Sequence, residues 1–221
     1  ACSSAILICY ELRRDEPLLD PRFFSSVPFT VAVVCAVIAF AATGGVLFLN
    51  TLYLQEVRGL SPFGAGLMLI PMALAAACCA PVSGRLVAAR GSRPSLFAGG
   101  IGMAAGGMLL LGVGPDTPFT YLGAAYLVFG IGFGLVNAPI TNAAVSGMPR
   151  TQAGLASAMA STGRQVGTAL GVAVSGAIAF SGRVETVADD LSATARPFWM
   201  VVTSCGVAIA GLHVVNRRFI T

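Results

Sequence analysis

An arginine lies near the middle of a segment that is long and apolar enough to cross a bilayer. Residues 153–180 read AGLASAMASTGRQVGTALGVAVSGAIAF. In a helix beginning at residue 153, Arg164 lies about 16 Å along the axis, about half of a hydrocarbon core. A guanidinium facing lipid at that depth costs about 2.5 to 3.5 kcal/mol or more, so it normally faces a bundle interior, a partner or a water-filled path. Two interpretations stay open: a structural arginine bound to neighbouring helices, and a residue that lines or gates a solute pathway.

The rest of this predicted helix indicates which side the arginine faces. The small and polar residues that follow one another at steps of four and three are Ser157, Ser161, Arg164, Thr168, Gly171 and Ser175. Such steps place residues on one helical face. Gly163, Gly167 and Gly171 have Gly-x-x-x-Gly spacing, which predicts close approach of a second helix. Gln165 is placed to orient the guanidinium or to meet a solute.

Other polar side chains occur inside apolar segments. Asn137 and Thr141 share a face of the segment 119–145 with Gly134, and asparagines in lipid need partners. A polar lining and interhelical hydrogen bonding both remain open for them. The predicted substrate pathway therefore consists of Asn50, Asn137, Thr141, Asn142, Ser161, Arg164, Gln165 and Thr168.

Composition places most of the chain in the membrane. Hydrophobic residues make up 56% and charged residues 10%, with a mean hydropathy of +0.85. We therefore predict an all-α, polytopic membrane helix bundle. The basic residues form no clustered stripe, which argues against nucleic acid, and no Cys, His and acidic residues have metal-ligand spacing. No nucleophile with a base, and no carboxylate or histidine cluster, lies at depth, so we predict neither an enzyme nor a cofactor.

The order of polar and apolar segments predicts three regions. Residues 1–10 form the end of a preceding transmembrane helix, residues 11–26 form a cytoplasmic amphipathic linker, and residues 27–221 form a six-helix bundle. We expect further residues before Ala1. The predicted complete spans are 27–52, 63–82, 95–113, 119–145, 153–180 and 197–215, and none of the nine acidic residues falls inside one.

Arginine distribution predicts the orientation. One set of alternate connections carries nine of the thirteen arginines, and the other set carries three. The positive-inside rule places the nine-arginine side in the cytoplasm, together with the C-terminus. We therefore expect a multi-pass protein of the plasma (inner) membrane.

Several stretches carry a family resemblance. They are EPLLDPRFF, LYLQEVRGLSPFGAGLMLIP, SGRLVAARGSRP, GIGFGLVNAPITNAAVSGMP and AGLASAMASTGRQVGTALGVAV, and together they cover nearly the whole chain. In this order and spacing the chain resembles the C-terminal portion of a major facilitator superfamily transporter, in the fourteen-helix drug:proton antiporter branch of the EmrB/QacA type.

The resemblance also implies a gating loop after the second helix of this half. The superfamily pattern is Gly-x-Leu-x-Asp-Arg-x-Gly-Arg-Arg, and Ala88 and Ala89 replace its acid and the following basic residue. The loss of the acid argues against the usual latch. The candidate gating residues are Gly84, Arg85, Leu86, Arg90, Gly91 and Arg93.

The resemblance implies efflux of drugs or amphiphilic small molecules by alternating access, with the proton gradient as the energy source and no cofactor. The implied partners are the lipid bilayer, a small-molecule solute and a missing N-terminal half in the same or another chain. Two alternatives remain: export of a single endogenous metabolite, and a non-catalytic half that works only with a partner chain.

Overall fold

The computed structural model describes residues 27–146 and 153–179 and, from a later helix, residues 200, 202, 204–205 and 207–209. Every regular element within these ranges is helical. The predicted regions 1–10 and 11–26, the connection around Arg150 and most of the sixth span lie outside the described residues.

Helix α1, Val27–Leu52, is uncharged over 26 residues and continues as a π-helical turn, Tyr53–Val57. The turn is closed by the Arg58 N–H, which donates to the Tyr53 carbonyl oxygen at 3.1 Å. Because this winding keeps the backbone hydrogen-bonded for five more residues, the helix continues to Val57 and includes Glu56. Glu56 is exposed at the end of this helix, and the absence of acidic residues from the spans stays a prediction.

The second span is built from two consecutive helices, α2 (Pro62–Met68) and α3 (Ile70–Arg90). The Ser61 hydroxyl accepts a hydrogen bond from the Gly64 N–H at 3.1 Å, and Pro62 occupies the first turn, as expected for a helix start. The helix is interrupted at Leu69, just before Pro71 in the first turn of α3. Prolines in membrane helices commonly accompany such interruptions.

Helix α4, Ser92–Leu111, follows α3 after a single residue. Gly91 makes this connection with φ +79°, a left-handed conformation that favours glycine. Residues 84–94 contain the predicted gating loop, but they do not form a loop. Helix α3 continues to Arg90 and α4 begins at Ser92, so Gly91 alone connects them.

Helices α5 (Phe119–Ser146) and α6 (Ala153–Ala179) complete the described bundle. Within the described residues, four helical stretches are long and apolar enough to cross a membrane, namely Phe29–Val57, Pro62–Arg90, Ser92–Leu111 and Phe119–Val145. Although α6 has 27 residues, it is not among the four because Arg164 and Gln165 lower its mean hydropathy. The prediction of an all-α, polytopic membrane bundle is confirmed.

Alternate glycines make α5 the centre of the bundle. Gly130 and Gly134 lie four residues apart and face α3, where a Cβ atom at Gly134 would lie 2.7 Å from the Ala76 carbonyl oxygen. Gly132, on the other side, faces α4, where a Cβ at Gly102 would lie 2.7 Å from the Gly132 Cα. The three glycines therefore serve close helix packing. Two of the largest buried side chains, Tyr126 and Phe129, also lie on α5.

Candidate functional site

Helix α6 is held against α1 by its glycine face. Its buried residues are Ala156, Ala160, Gly163, Gly167, Gly171 and Ser175. A Cβ atom at Gly167 or Gly171 would collide with the backbone of α1, at Val37 and Ala41 respectively. From the other side, a Cβ at Gly44 would lie 2.8 Å from the Thr168 carbonyl oxygen. The predicted close approach through Gly-x-x-x-Gly spacing is confirmed.

This contact divides the polar face predicted for α6. Gly171 and Ser175 are buried, and the Ser175 hydroxyl donates to the Gly171 carbonyl oxygen at 2.7 Å within the same helix. Ser161, Gln165 and Thr168 are exposed, whereas Arg164 is half-buried beside the glycine face. The polar face is therefore narrower than the sequence predicts, since its glycine edge serves packing against α1.

Arg164 lies where α1, α5 and α6 meet. Its Nη2 donates to the Thr141 hydroxyl of α5, and its guanidinium carbon lies 5.7 Å from the centroid of the Phe40 ring of α1. Phe40 in turn contacts Phe133 of α5 edge to face, with centroids 5.2 Å apart. The guanidinium therefore has both a hydroxyl acceptor and an aromatic face, two kinds of group that stabilise a cation at depth.

One donor of this guanidinium is not satisfied. The Nε atom of Arg164 is buried and has no hydrogen-bond partner within the part of the chain that the structure describes. Such a donor costs about 1 to 3 kcal/mol relative to a hydrogen-bonded one. The arrangement of Arg164 is therefore not fully compensated by the described residues.

The asparagines predicted for the pathway lie in three different places. Asn50 is 1% exposed, donates to the Val46 carbonyl oxygen at 2.9 Å and accepts from the Tyr126 hydroxyl at 2.7 Å. Asn142 donates to the Ser92 hydroxyl at 2.9 Å, which connects α5 to the start of α4. The Asn137 carbonyl oxygen accepts from the Thr141 hydroxyl at 3.2 Å, so Asn137 is connected to the Arg164 group through the backbone. A pathway role for the three side chains stays a prediction.

A buried serine pair was not predicted from the sequence. Pro139 has no N–H for the carbonyl oxygen of Leu135, four residues earlier in α5. The hydroxyls of Ser83 on α3 and Ser95 on α4 both lie 2.8 Å from that oxygen and 2.7 Å from each other. Both serines are completely buried. The signal in the sequence was Pro139 itself, because a proline inside a membrane helix frees one carbonyl oxygen.

The predicted gating residues lie at the ends of α3 and α4. Gly84, Arg85, Leu86 and Arg90 belong to α3, and Arg93 belongs to the first turn of α4. The three arginines are exposed, and no space-filling contact requires a glycine at position 84. Their gating role stays a prediction.

A cavity lies between α1 and α6, and the lining residue nearest to Arg164 in the sequence is Thr168. The volume of the cavity is about 430 Å³. The lining residues are Gly44, Leu47, Phe48, Thr51, Leu52, Gln55, Glu56, Thr168 and Val172. Thr168 lies one helical turn beyond Arg164 and donates its hydroxyl proton to the Arg164 carbonyl oxygen at 3.0 Å. Thr168 therefore connects the cavity to the arginine.

At the end of the bundle that the arginine distribution predicts to face outward, Arg58 and Tyr53 fix two connections to each other. Arg58 Nη1 donates to the carbonyl oxygens of Pro115 and Thr117 at 2.6 and 2.8 Å, and its guanidinium carbon lies 4.4 Å from the centroid of the Phe119 ring. The Tyr53 hydroxyl donates to the Gly114 carbonyl oxygen at 2.6 Å. We call this end, with residues 53–62 and 112–118, the outer end.

The combination of an all-helical membrane bundle, glycine-mediated helix pairs and a polar group at mid-span defines a transporter-like fold rather than a soluble enzyme fold. Residues 10–172 match the sequence pattern of the Major Facilitator Superfamily. The chain belongs to this superfamily.

Similar proteins have names that refer to drug resistance. "Multidrug resistance protein Stp" of Mycobacterium tuberculosis is 32% identical over 197 residues, which are 89% of this chain and 35% of that protein. "Tetracenomycin C resistance and export protein" of Streptomyces glaucescens is 34% identical over 84% of this chain and 34% of its own length. "Tetracycline resistance determinant" of Streptomyces rimosus is 31% identical over 86% and 55%, respectively. The chain thus spans about a third to about half of these relatives, and the predicted resemblance to drug-exporting members of the superfamily is confirmed.

Proposed function

We propose that this chain is the C-terminal portion of an exporter of drug-like, amphiphilic small molecules in the plasma (inner) membrane, with its C-terminus in the cytoplasm. The carrying observation is the position of Arg164, a cation at mid-span on the partly exposed side where three helices meet. Intramembrane charges of this kind normally mark a solute or ion pathway. Membership in the superfamily and the names of the relatives support the same function.

Alternating access is the mechanism that we propose, with the other half of the site supplied by a further N-terminal portion. The buried Nε of Arg164 supports this mechanism, because a donor without a partner in one arrangement gains free energy when another arrangement gives it an acceptor. An acceptor on the solute or on the opposite half would serve. Arg164 would then form different hydrogen bonds in the two states of the transport cycle.

We further propose that the proton gradient drives export and that the proton-carrying acids lie chiefly outside this chain. Within the described residues the acids are Glu56 and Asp116, and both lie at the outer end. Neither is within hydrogen-bond distance of Arg164 at mid-span. The N-terminal portion would therefore supply the groups that couple proton entry to solute exit.

A narrow substrate range is the second candidate. Two of the relatives are named for one antibiotic or antibiotic class, which favours a transporter with few substrates. A panel of cationic, neutral and anionic compounds distinguishes the two candidates, because resistance to one compound alone would contradict broad drug export.

The test uses the full-length gene that contains this chain, expressed in a drug-susceptible host. We expect energy-dependent efflux of at least one drug-like compound, stopped by a protonophore. Arg164→Ala removes a charge-assisted hydrogen bond, so export should fall by about tenfold or more while the amount of protein in the membrane is unchanged. The control is Thr162→Ala, at an exposed position of the same helix that belongs to neither the predicted pathway nor the predicted gating residues, and it should retain export. Equal export by wild type and Arg164→Ala would contradict a pathway role.

A further inference from the structure

Three polar residues of α6 form one exposed patch beside the glycine face. At about 100° per residue, Ser161, Arg164 and Gln165 lie within a sector of the helix that is about 100° wide. Ser161 and Gln165 are exposed, and Arg164 is half-buried at the edge towards α1. We call these three residues the donor face, because a solute that reaches them meets a hydroxyl, a guanidinium and an amide within little more than one turn.

The donor face has hydrogen-bonding groups that the described helices do not use. Ser161 and Gln165 form no hydrogen bond with the described residues, and the buried Nε of Arg164 has no acceptor among them. The hydroxyl and the amide can donate or accept, whereas a guanidinium can only donate. Arg164 therefore determines the preference of this face, which is for a hydrogen-bond acceptor.

No acid of the described helices neutralises Arg164. The described acids, Glu56 and Asp116, both lie at the outer end. Phe40, which lies beside the guanidinium, is 16 residues before Glu56, or roughly 24 Å along α1. This distance excludes an ion pair between Arg164 and Glu56. A positive charge at mid-span thus lacks a counter-charge from the described part of the chain, and a low-dielectric environment makes such a charge attract anions strongly.

An aromatic surface lies next to this charge. The Phe40 ring centroid is 5.7 Å from the guanidinium carbon, and Phe133 contacts Phe40 edge to face. Both phenylalanines are half-buried, so part of each ring is available to the aromatic body of a solute. The Thr141 hydroxyl accepts from Arg164 and gives its own proton to the Asn137 carbonyl oxygen at 3.2 Å, which holds the guanidinium in place.

We propose that the donor face binds amphiphilic organic anions, with the carboxylate, sulfonate or enolate group of the solute against Arg164 and its aromatic body against Phe40. A guanidinium is suited to such oxyanions because it can form two parallel charge-assisted hydrogen bonds with them. Ser161 and Gln165 supply further donors to the same group. This inference rests on the proposed export function and adds to it the charge of the solute at mid-span.

The test compares two probes that share one ring system. One is N-phenyl-1-naphthylamine, which is neutral, and the other is 8-anilino-1-naphthalenesulfonate, which carries a sulfonate on the same rings. Purified full-length protein in nanodiscs of zwitterionic lipid is titrated with each probe by calorimetry, and the signal of empty nanodiscs is subtracted. We expect Arg164→Gln to weaken binding of the sulfonate about tenfold or more and to change binding of the neutral probe by less than about twofold.

Two further variants separate charge from structure. Arg164→Lys keeps the charge but not the two parallel hydrogen bonds, so its affinity for the sulfonate should lie between those of wild type and Arg164→Gln. Arg58→Gln removes an arginine charge at the outer end, and it should bind both probes as wild type does.

Three binding results would overturn the inference. The first is an unchanged sulfonate affinity in Arg164→Gln, which is expected if a carboxylate of the N-terminal portion already neutralises Arg164. The second is an equal loss of both probes in Arg164→Gln, and the third is an equal loss of the sulfonate in Arg58→Gln. Failure of the wild type to export any compound would instead contradict the proposed function, and the titrations would still decide whether the donor face prefers anions.

Discussion

The Ser83 and Ser95 hydroxyls both contact the Leu135 carbonyl oxygen. We predict that Pro139→Ala restores stability that is lost when both serines are replaced by alanine. Three oxygen atoms lie within 2.7 to 2.8 Å of one another, but the two hydroxyls supply only two protons. Two of the three contacts can therefore be hydrogen bonds at any moment. The Leu135 oxygen keeps a donor when either serine is replaced, and it loses both donors only when both are replaced.

These hydrogen bonds determine how much each substitution should lower the free energy of unfolding. Ser83→Ala or Ser95→Ala alone removes one net hydrogen bond, so each should lower the free energy of unfolding by about 1 kcal/mol. The double substitution leaves a buried carbonyl oxygen without a donor and should add a further penalty of about 1 to 3 kcal/mol beyond the sum of the single effects. Adding Pro139→Ala restores an N–H that can donate to Leu135 along α5, and it should recover that penalty.

The assay is the thermal unfolding of the purified full-length transporter in detergent. A change of 1 kcal/mol corresponds to about 2 to 4 °C in Tm for a domain of this size, so the double variant should unfold several degrees below the single variants. The matched control is Pro81→Ala, since Pro81 also lies inside a membrane helix but its freed carbonyl oxygen is not Leu135. Additive serine effects, or equal recovery by Pro139→Ala and Pro81→Ala, would refute the role assigned to the serine pair.

Three further substitutions follow from the packing. Gly171→Ala places a methyl group against the α1 backbone and should cost about 1 to 3 kcal/mol, whereas Gly154→Ala on the same helix meets no atom within 4 Å and should be neutral in the same melting assay. Tyr126→Phe leaves the buried Asn50 Oδ1 without a donor at a cost of about 1 to 3 kcal/mol, and the added change Asn50→Leu should restore part of it; no recovery would contradict this assignment. Arg58→Lys keeps the charge but loses the two-carbonyl contact, so backbone amides of residues 112–118 should exchange hydrogen faster; unchanged exchange would argue against the clamp.

Sequence reasoning identified the class of fold because lipid imposes simple rules. Long apolar segments must be helical, and Gly-x-x-x-Gly spacing indicates close helix contacts. The helices and the close approach of a second helix to α6 were therefore predictable, but not that this second helix is α1. Arg164 and Thr141 were predicted to line the same polar pathway, but the hydrogen bond between them was not predicted. The aromatic partner Phe40 was not, because nothing in the local pattern of α1 specifies which neighbour its phenylalanines contact.

The failures have local physical causes. The predicted first span ends at residue 52, whereas the helix continues to Val57, because the π winding leaves no periodic signal over five residues. The predicted loop at residues 84–94 is helical except at Gly91, since arginines at helix ends can extend into the headgroup region while the backbone stays hydrogen-bonded. The residues to which the resemblance assigns a gating role thus lie at the end of α3 and the start of α4.

The described helices divide into two closely packed groups, and Arg164 lies at the boundary. Glycines bring α3, α4 and α5 into backbone contact, and glycines do the same for α1 and α6. Between the groups, three contacts rely on side chains instead: Tyr126 with Asn50, Phe40 with Phe133, and Arg164 with Thr141. Side-chain contacts can exchange partners with small backbone changes, whereas backbone contacts through glycine cannot. If the bundle rearranges during transport, we expect the change at this boundary, where Arg164 would have both a structural and a gating role.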